Sequence, residues 1–385
     1  MTDRIVVVGM PAAGHFNPSL PIARELARSG YEVTYYTGDE FRSRVEDAGC
    51  KFQGYPADSL TSADIAEATQ NGGPVRVVAR ILRATEVLLP MLVADLEADR
   101  PAAIAFDSNA IWGRMAAARL GLPSISLMTT ILTGGKAMSA LKTREWIHFL
   151  GEAIPGVPAA RKAKRRVVRR FGKDVYPPAP GLPMRGDITI FPVPRWIQPP
   201  DPRIDERCHY VGPTIPVRPA EKEPLVLVSL GTLHAGSDAF FRACFEAFAD
   251  LPARVLLVTR ADLGTPPENV TVQASVPQLD VLRRASVFVT HGGMNSVLEG
   301  LACGVPLVVV PQQVEQFVIG QAVADRGAGT VLRHNLANRP VPAAELRAAV
   351  DRAFGMADAA RAIGTSLAEE GGAAEAVRAI RGLLS

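Results

Sequence analysis

Two stretches of this chain, Ile5-Val6-Val7-Val8 and Leu225-Val226-Leu227-Val228-Ser229, are apolar runs that lead straight into glycine-containing loops. A strand with one wet face alternates polar and apolar side chains. A continuous run suits a parallel strand covered by helices on both faces. After the first run, Gly9 to Gly14 reads as a loop, residues 21–29 as a helix stopped at Gly30, and 32–37 as a second strand. That is a βαβ unit, right-handed by the crossover rule. Further strands are expected at 103–106, 124–127 and 188–191. The second run restarts the pattern, with a helix over 237–250 and strands at 255–259, 270–273, 287–290 and 306–310. An amphipathic helix is expected over 373–384.

The rhythm breaks twice. Residues 131–184 mix charges, prolines and short amphipathic stretches, and read as an insertion over one end of the first sheet. Residues 192–219 are proline-rich and read as the return path and linker. A length of 385 residues accommodates two domains. The fold class is therefore α/β, with two doubly wound Rossmann-like domains facing a central cleft. Residues 1–210 form the first domain, 211–216 the linker and 217–385 the second, with its last helix free to pack back on the first. Ligands of such sheets bind at the carboxyl ends of the strands.

Composition narrows the partners. With 42 basic and 39 acidic residues the net charge is +3, which gives no general basis for nucleic-acid binding. One local exception, Arg161 to Arg170, packs seven cations into ten residues; it suits a phosphate, an anionic membrane surface or simply a solvated helix. Cys50, Cys208, Cys244 and Cys303 are far apart, with no C-x-x-C pair, as in a reducing cytosol. No signal-peptide core opens the chain and no apolar run is long enough to span a membrane, so a cytoplasmic protein is expected. Oligomeric state is not readable, and a homodimer is compatible with the sequence.

The sharpest local motif is His291-Gly292-Gly293-Met294-Asn295-Ser296, between an expected strand and helix. Two glycines allow close backbone approach, and a first helical turn offers free N–H groups to an anion. A diphosphate fits there, with Glu299 one turn on, within reach of a ribose. Ser275-Val276-Pro277-Gln278 ends a loop that could edge a nucleobase. Glu315 and Gln316 suit vicinal hydroxyls, and Ser229-Leu230-Gly231-Thr232 offers another phosphate contact. In the first domain His15 follows the first strand and Asp107 follows the strand 103–106. An imidazole titrates near ~6.5, and a carboxylate on one nitrogen leaves the other as a base. As single residues they read equally as a core histidine and a helix cap.

The segments Pro11-Ala12-Ala13-Gly14-His15-Phe16-Asn17-Pro18, Ser229 to Thr232, and Val276 through His291–Ser296 to Pro311-Gln312 and Glu315-Gln316 resemble the family-1 nucleotide-sugar glycosyltransferases of the GT-B fold. The resemblance is to the bacterial macrolide-glycosyltransferase branch and covers essentially the whole chain. It implies that His15 is the catalytic base with Asp107 as partner. It also implies that Thr232, His291, Gly293, Asn295 and Ser296 hold the diphosphate, Val276 and Gln278 the base, Glu299 the ribose, and Glu315 with Gln316 the transferred sugar. Plant members carry tryptophan where Val276 stands, which leaves uracil or thymine open.

The activity so implied is an inverting, metal-independent transfer of a hexose onto a small apolar acceptor such as a macrolide, polyketide or phenol. UDP-glucose is the expected co-substrate, and no further cofactor is expected. No two aspartates are spaced D-x-D, a metal–diphosphate handle of other transferases. The acceptor pocket is expected from residues 55–91, Trp112 and residues 128–150. A tailoring enzyme using a TDP-deoxysugar is the alternative. A nicotinamide-dependent oxidoreductase lacks its G-x-G-x-x-G fingerprint, since only Gly9 and Gly14 occupy the first loop.

Overall fold

The structure, a computed structural model, describes residues 4–134, 138–178, 182–215, 221–231 and 238–385, the side chains of 70–72 and 74 excepted. The first sheet has seven parallel strands: β1 Arg4–Val8, β2 Glu32–Thr37, β3 Lys51–Gly54, β4 Ala103–Asp107, β5 Ser124–Leu127, β6 Ile188–Phe191 and β7 Cys208–Tyr210, in the order β3-β2-β1-β4-β5-β6-β7. The second has six: β8 Leu225–Ser229, β9 Arg254–Val258, β10 Val270–Gln273, β11 Val287–Thr290, β12 Leu307–Val309 and β13 Gly329–Val331, in the order β10-β9-β8-β11-β12-β13. The central strands β4, β8 and β11 are buried at every residue, so helices cover both faces.

In the first sheet, the helices are α1 Ala13–Arg28, α2 Arg42–Asp47, α3 Ser62–Ala98, which is interrupted at Gly73, and α4 Ile111–Leu120. The insertion contributes α5 Thr143–Ala153 and α6 Val157–Phe171. The second sheet carries α7 Asp238–Phe248, α8 Gln278–Arg284, α9 Met294–Ala302, α10 Val314–Ala324, a 3-10 turn at Arg333–Ala337, α11 Ala343–Phe354, α12 Ala357–Glu369 and α13 Gly372–Leu384.

Three expectations are corrected. Helix α1 begins at Ala13, not at Pro21, and carries Pro18 and Pro21 within it. Each proline removes one N–H, which leaves the carbonyl four residues earlier without its helical donor; the Gly14 carbonyl finds another, described below. Second, the proline-rich segment 192–219, read as return path and linker, contains strand β7, and β3 and β13 carry no apolar run to betray them. All three are three or four residues long and lie at or beside a sheet edge. Third, Trp112 is fully buried and donates Nε1–H to the Tyr55 hydroxyl at 3.0 Å, so both belong to the core and not to an open pocket.

The cationic run lies on α6, which buries Ala163 and Val167 against α3 and turns its charges outward; Arg166 bonds Glu86 at 2.8 Å. Among the described residues no helix is long and apolar enough to cross a membrane.

The chain crosses between the sheets twice. Going out, it runs through Val211; returning, Gly372 donates its N–H to the Val211 carbonyl at 2.6 Å. Helix α13 then packs on the first sheet, where Ala376, Val377 and Ile380 share one core with Ile5, Phe16 and Leu26. Arg381 donates to the Ser29 carbonyl at 3.1 Å. Truncating a fully buried isoleucine costs about 2–5 kcal/mol through lost transfer energy and the cavity left behind. Ile380→Ala should therefore lower the denaturant midpoint of the first domain, followed by fluorescence, despite lying more than 300 residues from β1. An unchanged midpoint would show that α13 contributes nothing to that core.

Candidate active site

In a doubly wound sheet the crevice opens where neighbouring strands send their connections to opposite faces. The first sheet changes direction between β1 and β4, the second between β8 and β11. His15 sits in the first turn of α1, just after β1; Asp107 is the last residue of β4. Their side chains meet, with His15 Nδ1 2.9 Å from Asp107 Oδ2. An ionised carboxylate only accepts, so Nδ1 carries the proton and Nε2 keeps its lone pair. Asp107 is buried, whereas the His15 side chain is 25% exposed. Asp107 Oδ1 also accepts the Asn109 N–H at 2.9 Å, so the carboxylate holds the local turn as well as the histidine.

Sequence reading missed Thr129. Its hydroxyl lies 2.8 Å from His15 Nδ1 and donates to Asp107 Oδ2 at 3.2 Å. The available signal was its place, just beyond β5, the strand that pairs with β4. The next residue, Thr130, donates from its hydroxyl to Glu315 Oε1 at the start of α10, across the cleft. Burial alone would lower the His15 pKa, but the negative charge of Asp107, its hydrogen bond and the charge of Glu315 raise it above the ordinary imidazole value. Glu315 is itself raised by burial, against the pull of Thr130 and His15.

The second wall is built on α9. Gly292 takes φ +86°, a left-handed conformation that favours glycine; a Cβ there would meet Val309 Cγ1 at 2.6 Å. Gly293 is the N-cap of α9, which turns the first-turn N–H groups toward the cleft. The His291 ring fits against Gly231 and Gly293, where a Cβ on Gly231 would lie 2.7 Å from the ring. Asn295 donates Nδ2–H to the Gly14 carbonyl at 3.0 Å, and that acceptor is the one left open by Pro18. Gln278 begins α8 and does not end a loop; its Nε2 donates to Glu299 Oε2 at 2.7 Å and to Ser296 Oγ at 3.2 Å. Burial raises the Glu299 pKa, partly offset by that bond. Val276 packs at the margin of the second core.

Gln316 departs from its expected placement. It is buried, and its Oε1 accepts the backbone N–H groups of Gln312 at 2.7 Å and Gln313 at 3.2 Å, so this oxygen stabilises the loop before α10. Thr232 lies outside the described residues. Beside Glu315 a cavity of about 240 Å³ is lined by Met138, Leu141 and Phe149 from the insertion and by Gln313, Val314 and Leu336 from the second sheet. Both domains therefore wall it, where the first alone was expected to. Across the same seam Arg333 Nε donates to Glu145 Oε1 at 3.0 Å and stacks over Phe317 at 4.0 Å.

Comparison with known proteins agrees with this geometry. Residues 243–379 match the family described as "Erythromycin biosynthesis protein CIII-like, C-terminal domain". The chain is 33% identical to the NDP-glycosyltransferase YjiC of Bacillus licheniformis, over 91% of this chain and 89% of that protein. It is 30% identical to the demethyllactenocin mycarosyltransferase of Streptomyces fradiae, over 98% and 85% respectively. Among solved structures, the glycotransferase of kitacinnamycin superposes with a TM-score of 0.83 at 30% identity, over the full length of both chains.

The Asp107 charge and bond act together on His15, so removing them leaves burial to dominate. In an NMR titration the His15 imidazole should protonate above the ordinary value near ~6.5 in the wild type and at lower pH in Asp107→Asn. An unmoved titration in that variant would show that Asp107 does not hold the ring.

Proposed function

Since this chain belongs to the family-1 nucleotide-sugar glycosyltransferases, in the bacterial macrolide-glycosyltransferase-like branch, we propose that it transfers a hexose from UDP-glucose onto a hydroxyl of a small apolar acceptor. Glycosyl transfer of the natural-product type is the family's activity. The acceptor, the sugar and the residue roles are our reading.

One observation carries it: the His15–Asp107 pair at the first sheet's switch point, with Nδ1 held by the buried carboxylate and the His15 side chain 25% exposed. His15 Nε2 takes the acceptor's proton as the acceptor oxygen attacks the anomeric carbon. The bond to the diphosphate oxygen breaks on the opposite face, inverting that carbon, and Asp107 stabilises the imidazolium formed. The nucleoside diphosphate leaves onto the first turn of α9, beside His291, Gly293, Asn295 and Ser296, with Thr232 as a further phosphate contact. The first domain, residues 1–210, supplies the base, and residues 217–385 hold the donor. Val276 and Gln278 meet the nucleobase and Glu299 the ribose. The apolar cavity takes the acceptor.

Metal independence is part of the proposal. Neither a D-x-D pair in the sequence nor, among the described residues, a cluster of three metal-type ligands offers a resident ion a seat. Activity should persist in excess chelator; complete loss restored by magnesium would overturn this part. For the sugar, Glu315 is the group to test, because Gln316 is engaged in its own loop. Relatives are named for both glucosyl and mycarosyl transfer, which keeps a TDP-deoxysugar as the second reading. A carboxylate left without its sugar hydroxyl costs about 1–3 kcal/mol, so Glu315→Gln should narrow the preference for UDP-glucose over a TDP-deoxysugar, read as kcat/KM. A wild-type preference for the deoxysugar would favour the second reading.

His15→Ala should lower kcat by ~10²-fold or more while UDP affinity, measured by calorimetry, stays unchanged. The base must be neutral to act, so kcat/KM should fall as pH drops through the raised His15 pKa. Near-normal turnover in His15→Ala would exclude His15 as the base.

A further inference from the structure

A second cavity, of about 400 Å³, opens at the same seam, and Glu145 lines both. Lys142, Thr143 and Arg144 form one side of it, just at the start of α5. Arg333, His334, Ala337 and Arg339, on the 3-10 turn and just beyond, form the other. Four lysine and arginine side chains therefore line one space, Lys142 and Arg144 from the first domain and Arg333 and Arg339 from the second, with His334 beside them.

The carboxylates nearby do not neutralise them. Glu145 is used up by the Arg333 guanidinium and by the Lys142 backbone N–H, which it accepts at 2.7 Å. Glu345 stands 3.5 Å from His334 Nε2 and does not line the cavity. Lys142, Arg144 and Arg339 are exposed; Lys142 acts on the already engaged Glu145 through its charge, and Arg144 and Arg339 enter no ion pair among the described residues. His334 Nδ1 is buried without a hydrogen-bond partner among the described residues. Massed like charges at a domain seam repel one another, and an anion between them removes that repulsion. Guanidinium forks match the planar or tetrahedral oxygens of carboxylate, sulfate and phosphate.

The neighbouring cavity is walled by Met138, Leu141, Phe149 and Leu336, with Glu315 at its wall nearest His15. The two cavities meet at Glu145, so a ligand in the first has the cations of the second beyond that residue. We propose that the second cavity binds an oxyanion carried by the acceptor, at the end away from the hydroxyl that receives the sugar. This rests on the reading above that the apolar cavity takes the acceptor.

The test uses two matched probes, 4-hydroxystilbene and its 4'-carboxylate, titrated by calorimetry into the full-length protein saturated with UDP. The carboxylate should bind about tenfold more tightly at low ionic strength. That ratio should fall toward one at high salt and in the Arg144→Ala, Arg339→Ala double variant, while the uncharged probe binds all forms alike. Inorganic phosphate should compete with the carboxylated probe alone. Equal affinity for the two probes in the wild type, or a preference that survives the double variant, would overturn the proposal. So would phosphate binding with no preference between probes, which would make this a site for a free anion. Binding is read without turnover, so a failure of glycosyl transfer with either probe tests the function and leaves this result standing.

Discussion

A parallel strand must have both faces covered, and most of this molecule follows from that requirement. Helices must alternate with strands, connections must cross over, and each sheet must wind outward in both directions from a central pair. Those central pairs, β1 with β4 and β8 with β11, are where loops diverge and leave a crevice. His15, the carboxylate of Asp107 and the glycine-bounded turn after β11 occupy these two places. The chemistry is thus a tenant of positions that the packing cannot fill.

Three polar contacts cross between the two crevices, beside an apolar core that Met128, Ile131 and Leu132 share with the second domain. Thr130 reaches Glu315, Asn295 reaches the Gly14 carbonyl, and Arg333 reaches Glu145. Such contacts are individually worth little where water can replace them. That weakness suits a cleft that must admit two substrates, because a sugar hydroxyl or a phosphate oxygen can take over the same partners. The adjacency of Thr129 and Thr130 also ties the ring of His15 to the opposite wall through one peptide unit.

The strands expected at 32–37, 124–127, 188–191, 270–273 and 287–290 have those boundaries in the structure; four of them are interior and largely buried, and the edge strand β10 was legible from its alternating valines, Val270 and Val272. Edge strands β3, β7 and β13 were invisible because a half-solvated strand of three or four residues carries no hydrophobic run. Prolines misplaced the start of α1, since the carbonyl that Pro18 leaves open is satisfied by a side chain 281 residues away. Within the site, His15 and Asp107 were readable from their positions at strand ends. Thr129 was not, because a threonine beyond a strand is ordinary until its neighbour strand is known. Gln316 was read with Glu315 as a pair for sugar hydroxyls, yet its Oε1 turns back to the N–H groups of its own loop. The Gln278–Glu299 bond likewise depends on two helices meeting, which local pattern does not report.

The double crossing has a consequence for how the molecule is made. The first domain lacks part of its own core until residues 372–384 have been synthesised, after every strand of the second sheet. A nascent chain released from the ribosome only as far as β13 holds a first domain with an unfilled apolar groove where Ala376, Val377 and Ile380 belong. The second domain is in effect an insertion within the first. Its Val211 and Gly372 ends lie side by side, so the last piece of the outer core is made only after the inserted domain has been synthesised.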